Sequence, residues 1–315
     1  MKASYFKMWF LLALVAMGCR DQQTKKTEGG SMDDFPSQMV RFLPIAENPI
    51  FKGTGKATWD RNIRERGYIL YDGIYKMWYT GYNDSISEER FLGLALSKDG
   101  IHWKRFSERP LLKGLWTEDM QVVKYNDLYY MFAEGKNDVS HLLTSLDGIE
   151  WTPQGKLSIY NVNGDSIVPP YGTPTVWVEN DRKYLFYERN DLGVWLATSN
   201  DFRTWTNVQE EPVLKMGPLN NDSGAVAANQ IVKYHGKYYM FYHGSANPDW
   251  MKPGAQAEWT SNVAMSKDLI NWTKYPQNPI VKGDHSSNIL VFNGKEHILY
   301  TTHDNVWKYD HHNSN

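Results

Sequence analysis

The 315-residue sequence predicts an all-β chain folded as a five-bladed β-propeller. Three observations carry that prediction. The motif S-x-D-x-x-x-W occurs four times, at Ser97–Trp103, Ser145–Trp151, Ser199–Trp205 and Ser266–Trp272, with starts 48, 54 and 67 residues apart. A second pattern, a tight turn between β-rich aromatic runs, occurs five times, at Tyr71–Tyr79, Tyr125–Phe132, Glu179–Tyr187, Tyr234–Tyr242 and Phe292–Tyr300. No stretch reads as a long amphipathic helix.

The elements follow in chain order. Lys2 and Lys7 precede a ten-residue apolar run, Met8–Met17, too short to span a bilayer as a mature helix. A charged start, a short apolar stretch and small residues form a secretory signal. Ala16-Met17-Gly18-Cys19 resembles a lipobox, so residues 1–18 are expected to be a lipoprotein signal peptide and Cys19 its acylated residue. Residues 19–38 are polar and aperiodic and read as a flexible tether. Residues 39–315 hold the repeats. Each of the first four units runs from an inner strand through the aromatic hairpin to a short apolar strand and the S-x-D-x-x-x-W turn. Asp suits that turn because its carboxylate can bond nearby backbone N–H groups. The fifth unit lacks the motif because the chain ends, and a strand from Arg41–Ile50 is expected to complete it and close the ring.

Composition narrows the function. The 34 basic and 36 acidic side chains give a net charge of -2, which argues against a nucleic-acid partner. A single cysteine excludes an internal disulfide framework and any multi-cysteine metal site. Aromatics reach 14%, and the repeats assign most of them to packing between blades. There is no G-x-S-x-G elbow, no phosphate-cradling glycine loop and no H-E-x-x-H. No cofactor is expected, and the terminal Asp310-His311-His312 is a poor metal candidate.

In a propeller the innermost strands begin beside the central channel. The residues there are Trp59–Asn62 with Arg64–Arg66, Trp116–Asp119, Tyr171–Pro174, Asp222–Gly224 with Asn229 and Gln230, and Asp284–Asn288. A second polar ring ends the hairpin strands: Asn83 and Asp84, Glu134 and Lys136, Glu188 and Arg189, His243, and His303 with Asp304. Recurrence of polar strand ends in successive repeats points to one shared pocket.

The five-unit layout, the strands YKMWYTG and YYMFYHG, and the turn S-K-D-G-I-H-W resemble the five-bladed glycoside hydrolases of families 43, 32, 68, 117 and 130, over about residues 40–310. The resemblance implies three axial acidic groups: an Asp in the first blade, an acidic residue in the second and a Glu in the third. Asp60 matches the first by position, and Asp119 the second, with Glu118 as its rival. The third departs, because Gly172-Thr173-Pro174 stands where the Glu is expected; Glu188, or a histidine such as His243 or His303, is the substitute. One carboxyl group must hold a proton for the leaving oxygen while the other stays ionised to activate water or attack the sugar. The resemblance to family 43 implies inversion. Trp59, Arg64, Arg66, Glu134, His243 and His303 are the expected substrate-binding residues, and Trp116 and Trp250 are further candidates for stacking on a sugar.

The resulting expectation is a glycosidase acting on a plant or algal oligosaccharide, held by Cys19 on the outer membrane of a bacterial envelope. The alternatives are a non-catalytic carbohydrate-binding lipoprotein and a glycoside phosphorylase that uses Arg61, Arg64, Arg66 and Arg189 for phosphate.

Overall fold

The computed structural model describes residues 32–312; the expected signal peptide and Cys19 lie outside the described residues. Strands form five antiparallel sheets in chain order. Blade 1 comprises Asn62–Tyr71, Tyr75–Asn83, Ser87–Ser97 and Lys104–Arg105, and blade 2 comprises Glu118–Tyr125, Leu128–Gly135, Val139–Ser145 and Thr152–Lys156. Blade 3 comprises Gly172–Glu179, Arg182–Glu188, Gly193–Ser199 and Thr204–Asn207, with Ser158–Tyr160 added in parallel at its edge and Leu214–Lys215 paired to its third strand. Blade 4 comprises Ala225–Tyr234, Lys237–Ser245, Trp259–Ser266 and Trp272–Lys274. Blade 5 takes Asn288–Phe292, His297–Thr301 and Asn305–His311 from the end of the chain. The expected closing strand is Phe42–Pro44, which pairs with the last strand in the register Phe42↔His311, and Phe51–Lys52 pairs further along it. Each first strand touches the first strands of its two neighbours, so the five sheets form a closed ring around an axis. Among the described residues the helical segments are Met32–Asp34, Ser37–Val40 and Asn220–Asp222, and no helix is long and apolar enough to cross a membrane.

The repeated motifs work as local clamps. The Ser97 hydroxyl donates to Asp99 Oδ1 at 3.0 Å, and that oxygen accepts the N–H groups of Ile101 and His102 at 2.9 and 2.8 Å. The same pattern recurs around Asp147, Asp201 and Asp268. The motif Trp then folds back under its turn: Trp151, Trp205 and Trp272 donate Nε1–H to the carbonyls of Gly148, Phe202 and Leu269. The rings also seal the seams between blades. Trp78 of blade 1 meets Trp151 edge-on at 6.1 Å, Tyr130 of blade 2 stacks on Phe202 at 4.3 Å, and Phe186 of blade 3 meets Trp272 at 6.0 Å. Such pairs contribute about 0.5–1.5 kcal/mol each beyond the area they bury.

One boundary moves. Residues 35–38 belong to the expected tether, yet Phe35 is buried, stacking near Tyr239 and Tyr275, and Met39 beside it is fully buried. An apolar pair that fits the rim of blade 4 offsets the entropy of ordering this segment.

The axial end of the inner strands carries the feature that builds the site. The ladders of blades 1 to 4 are interrupted by bulges at Arg64/Tyr68, Glu118/Gln121, Gly172/Thr175 and Ala228/Gln230. Within the first three, Glu65, Asp119 and Thr173 adopt left-handed φ values of 57°, 44° and 43°, and Ser287 of blade 5 has φ 58°. A bulge re-aims a side chain, and a non-glycine residue held in this region costs on the order of 1–3 kcal/mol unless its surroundings over-determine it.

Candidate functional site

The bulges bring Glu65, Asp119 and Thr173 to an axial cavity of about 300 Å³, and Ser287, also left-handed, joins them from blade 5. The ends of the second strands add Glu134, Glu188 and His243, and the turns after them add Asp138, Asp191 and His303. Seven carboxyl groups thus line the cavity: Glu65, Glu118, Asp119, Glu134, Asp138, Glu188 and Asp191. Arg64 is the one Lys or Arg among them.

Their environments set them apart. Burial alone would raise Glu65, but His303, with Nδ1 3.7 Å from Glu65 Oε2, and Arg64, hydrogen-bonded to Oε1, outweigh it and hold the carboxyl below its usual range. Asp119 goes the other way. Burial and the neighbouring negative charge of Glu65 push it well above the carboxylate range, against the pull of Arg66. Burial raises Glu118 to about 7 even though Arg64 Nε lies 3.3 Å from Oε2 and Trp116 donates to Oε1. Burial likewise raises Glu188 to about 7, against the N–H of Asp191 at 2.7 Å. Glu134 and Asp191 are raised by burial and by their acidic neighbours. His243 is lowered to about 3 by burial and by Arg66, so its ring is neutral near pH 7 and is no source of a proton as an imidazolium. Its Nδ1 lies 2.9 Å from the side-chain amide of Asn229.

Gly172 explains the departure in the third blade. A Cβ at that position would lie 2.2 Å from Glu188 Oε1 and 2.3 Å from Glu134 Oε2. The two carboxyl groups from the second strands of blades 2 and 3 occupy the space that a side chain on the inner strand would fill. Thr173 N–H, at the same bulge, donates to Glu134 at 2.8 Å.

The cavity has an apolar roof on one side. Between its second and third strands blade 4 carries the 13 residues 246–258, where the other blades have three or four. This loop brings Trp250 and Met251 to the cavity, with Trp250 edge-on to Trp259 at 5.1 Å.

The cavity therefore unites Arg64, Glu118, Asp119, Glu134, Glu188, His243 and His303 from the sequence expectation, together with Trp250. Three expected residues lie elsewhere. Asp60 is 2% exposed and lies outside the residues lining the cavity. It accepts Arg105 Nε–H at 2.5 Å, Tyr79 O–H at 3.2 Å and Thr58 O–H at 2.9 Å. Blade 4 repeats this clamp with Asp222, Lys274 at 2.6 Å and Tyr242 at 2.8 Å, so the buried carboxylate belongs to the scaffold of a blade. Trp59 stacks on Tyr79 at 5.8 Å and donates to the Glu108 carbonyl, which makes it a packing residue. Arg66 is fully buried, and its guanidinium is committed to Thr175 Oγ1 and to the carbonyls of Asp119, Pro174, Ala228 and Asn229. It ties four inner strands together at the axis, and its one unpartnered donor, Nε–H, is buried away from the cavity lining.

The residue that sequence reasoning passed over is Glu65. It lies seven positions before the first turn residue of its blade, Asp72, as Asp119 does before Asn126 and Thr173 before Asn180. Counting back from the turns selects Glu65 and rejects Asp60. The expected consequence is separable: Asp60→Asn should lower the thermal midpoint by several degrees while leaving turnover within about threefold, because it removes an ion pair from a blade and touches nothing in the cavity. Calorimetry and steady-state kinetics on the same preparation check it, and a large loss of turnover at unchanged stability would return Asp60 to the site.

Comparison with known proteins accords with this architecture. No family model matches the chain. A putative glycoside hydrolase from Parabacteroides distasonis superposes with TM-score 0.69 at 16% identity, covering 90% of this chain and 99% of that one. The fold is that of the five-bladed glycoside hydrolases. Within this fold, the chain is also similar (TM-score 0.66, 16% identity, 87% and 95% covered) to a structure reported among mannoside phosphorylases and hydrolases that target β-1,2-mannosidic linkages in Candida mannan. By sequence it is 25% identical over 240 residues to a 1,2-β-oligomannan phosphorylase of Thermoanaerobacter sp. (strain X514), covering 69% of this chain and 76% of that protein. Among the described residues of this glycoside hydrolase fold, no group of three or more His, Cys, Asp or Glu is placed to hold a metal ion.

Proposed function

We propose that the protein is a glycosidase that hydrolyses a β-mannoside oligosaccharide, with Asp119 as the general acid and Glu65 as the general base. The observation that carries this is the opposed pair: two neighbouring carboxyl groups, one held ionised by Arg64 and His303, the other held protonated by burial and by the first. Pushing two titratable groups apart is how a site obtains an acid and a base at one pH. Asp119 would give its proton to the glycosidic oxygen as that bond breaks. Glu65 would take a proton from the water that attacks the anomeric carbon, with inversion. The β-mannoside class is supported by the names of the relatives. Water as acceptor is supported by the cations at the cavity: Arg64 is the one Lys or Arg among the lining residues and is already paired with Glu65 and Glu118. A phosphate dianion entering there meets the ionised Glu65 and no unpaired Lys or Arg among the lining residues.

The second reading, a phosphorylase, is favoured by the phosphorylase in the sequence comparison. One assay separates the two: β-1,2-mannobiose with and without inorganic phosphate, read by NMR. Release of α-mannose without phosphate supports the hydrolase, mannose 1-phosphate that appears only with phosphate supports the phosphorylase, and binding without either product supports a carbohydrate-binding protein.

The carboxyl groups also predict the pH dependence of stability. Glu118 and Glu188 titrate near 7 in the folded chain and near 4.5 when unfolded. Between those values the native state holds more protons, so its stability is greatest below about pH 4.5 on this account and is lost as pH rises through about 7. Calorimetric midpoints from pH 5 to pH 8 should therefore fall; a flat or rising series would count against the two raised carboxyl groups.

The same reading extends to the leader. A diacylglyceryl group on Cys19 would place the protein at the cell envelope, on the outer membrane. Mass spectrometry of the mature protein checks this, and a Cys19→Ala protein should be released from membranes.

A further inference from the structure

A second cavity, of about 560 Å³, runs along the seam between blades 1 and 2. Its floor is apolar, from Leu115, Val139 and Pro153. Glu88 and Glu89 stand exposed on the blade 1 bank, and Lys136 and Lys156 on the blade 2 bank. The groove meets the axial cavity along the chain. Lys136 follows the strand that ends in Glu134-Gly135, Val139 follows Asp138, and Trp116 lines the groove while its Nε1–H holds Glu118 inside the cavity. Trp116 is itself fixed by Arg90, whose guanidinium lies 4.9 Å from the ring centre. From this junction the groove runs outward past His141 to the outer strand of blade 2. His141 is 5% exposed.

We infer that this groove is a binding site for the part of a neutral oligosaccharide that extends beyond the sugar held in the axial cavity, and that Lys136 and Lys156 make the protein prefer chains of three or more sugars. The inference rests on the glycosidase reading above. Two features support it. In a ring of five, the seam between blades 1 and 2 lies across the axis from blade 4, whose 246–258 loop roofs the cavity with Trp250 and Met251. A chain leaving the cavity away from that roof runs into the groove. An apolar floor between hydrogen-bonding banks also matches a sugar ring, which presents C–H groups on its faces and hydroxyls at its edge. Glutamates on one bank and lysines on the other leave no net charge to select an anionic chain.

The test is a chain-length series of β-1,2-mannooligosaccharides of two to five sugars, on the wild-type protein and on Lys136→Ala/Lys156→Ala. In the wild type, kcat/KM should rise about tenfold from the disaccharide to the trisaccharide, and in the double variant that rise should shrink to within about twofold. The disaccharide value reports whether the variant is folded and competent. Equal values across the series in the wild type, or an unchanged rise in the variant, would overturn the inference and leave the glycosidase reading standing. If the wild type turns over no member, the glycosidase reading falls. The same series measured as Kd by titration calorimetry then decides on the groove alone, with tighter binding of longer chains by the wild type, lost in the double variant, in its favour, and length-independent Kd against it.

Discussion

Glu65→Gln, and separately Asp119→Asn, should each lower kcat about a thousandfold or more while leaving the thermal midpoint close to that of the wild type. General acid and general base contributions of 10²–10⁴ are typical, and here one group supplies the charge that keeps the other protonated. Gln at position 65 keeps the shape of the side chain and its contact with Arg64, but it cannot accept a proton from water. It also removes the negative charge that raises Asp119, so the pH at which Asp119 ionises should fall in this variant. The pH–rate profile reads that directly: the acid limb attributed to Glu65 should vanish and the alkaline limb should move to lower pH. Neither change follows from a merely structural role. Wild-type kcat in both variants would remove this pair from the chemistry.

Arg66→Met should destabilise the protein by about 3–5 kcal/mol, as expected when one member of a buried charge network is removed. The guanidinium reaches a hydroxyl and four carbonyls on the inner strands of blades 2, 3 and 4 from a position on blade 1. Its loss takes a buried donor from each of these acceptors, of which the Ala228 carbonyl keeps the Thr175 hydroxyl. For a chain of this size the midpoint should fall by roughly 10 °C. Arg66→Lys should recover part of the loss, since an ammonium restores charge and up to three donors but not the planar fork. Urea unfolding of the three proteins measures this, and a loss under about 1 kcal/mol would show that the ring holds its axis without the arginine.

The ring was legible because its instructions are local and repeated. Asp-based turns, the Trp bonded beneath three of them and the five aromatic hairpins occupy the positions that their spacing predicts. The closing strand was legible from a shortage, since the fifth unit lacked one. The site was legible where a side chain ends a regular strand, as Glu134, Glu188 and His243 do. It was harder to read where the backbone leaves regular geometry. Glu65 sits in a bulge beside two arginines, and a linear reading pairs it off as their counter-ion, which in part it is. Asp60 carries the expected residue type but is consumed by a clamp whose partner, Arg105, is 45 positions away. The depth of Arg66 and the position of the 246–258 loop depend on how blades meet, and a repeat seen singly does not contain that information.

The docked segment at the start of the described chain fixes an orientation. Asp34 meets Lys237 at 2.7 Å, and Phe35 lies beside Tyr239, at the end of the blade 4 hairpin where the turn lies. The same strand runs from Lys237 to His243 and Ser245, so its far end faces the acidic cavity. The described chain therefore begins on the face of the disc opposite the cavity mouth. A surface or partner that meets the Asp34–Phe35 face leaves the mouth uncovered, on the side from which long glycans would arrive.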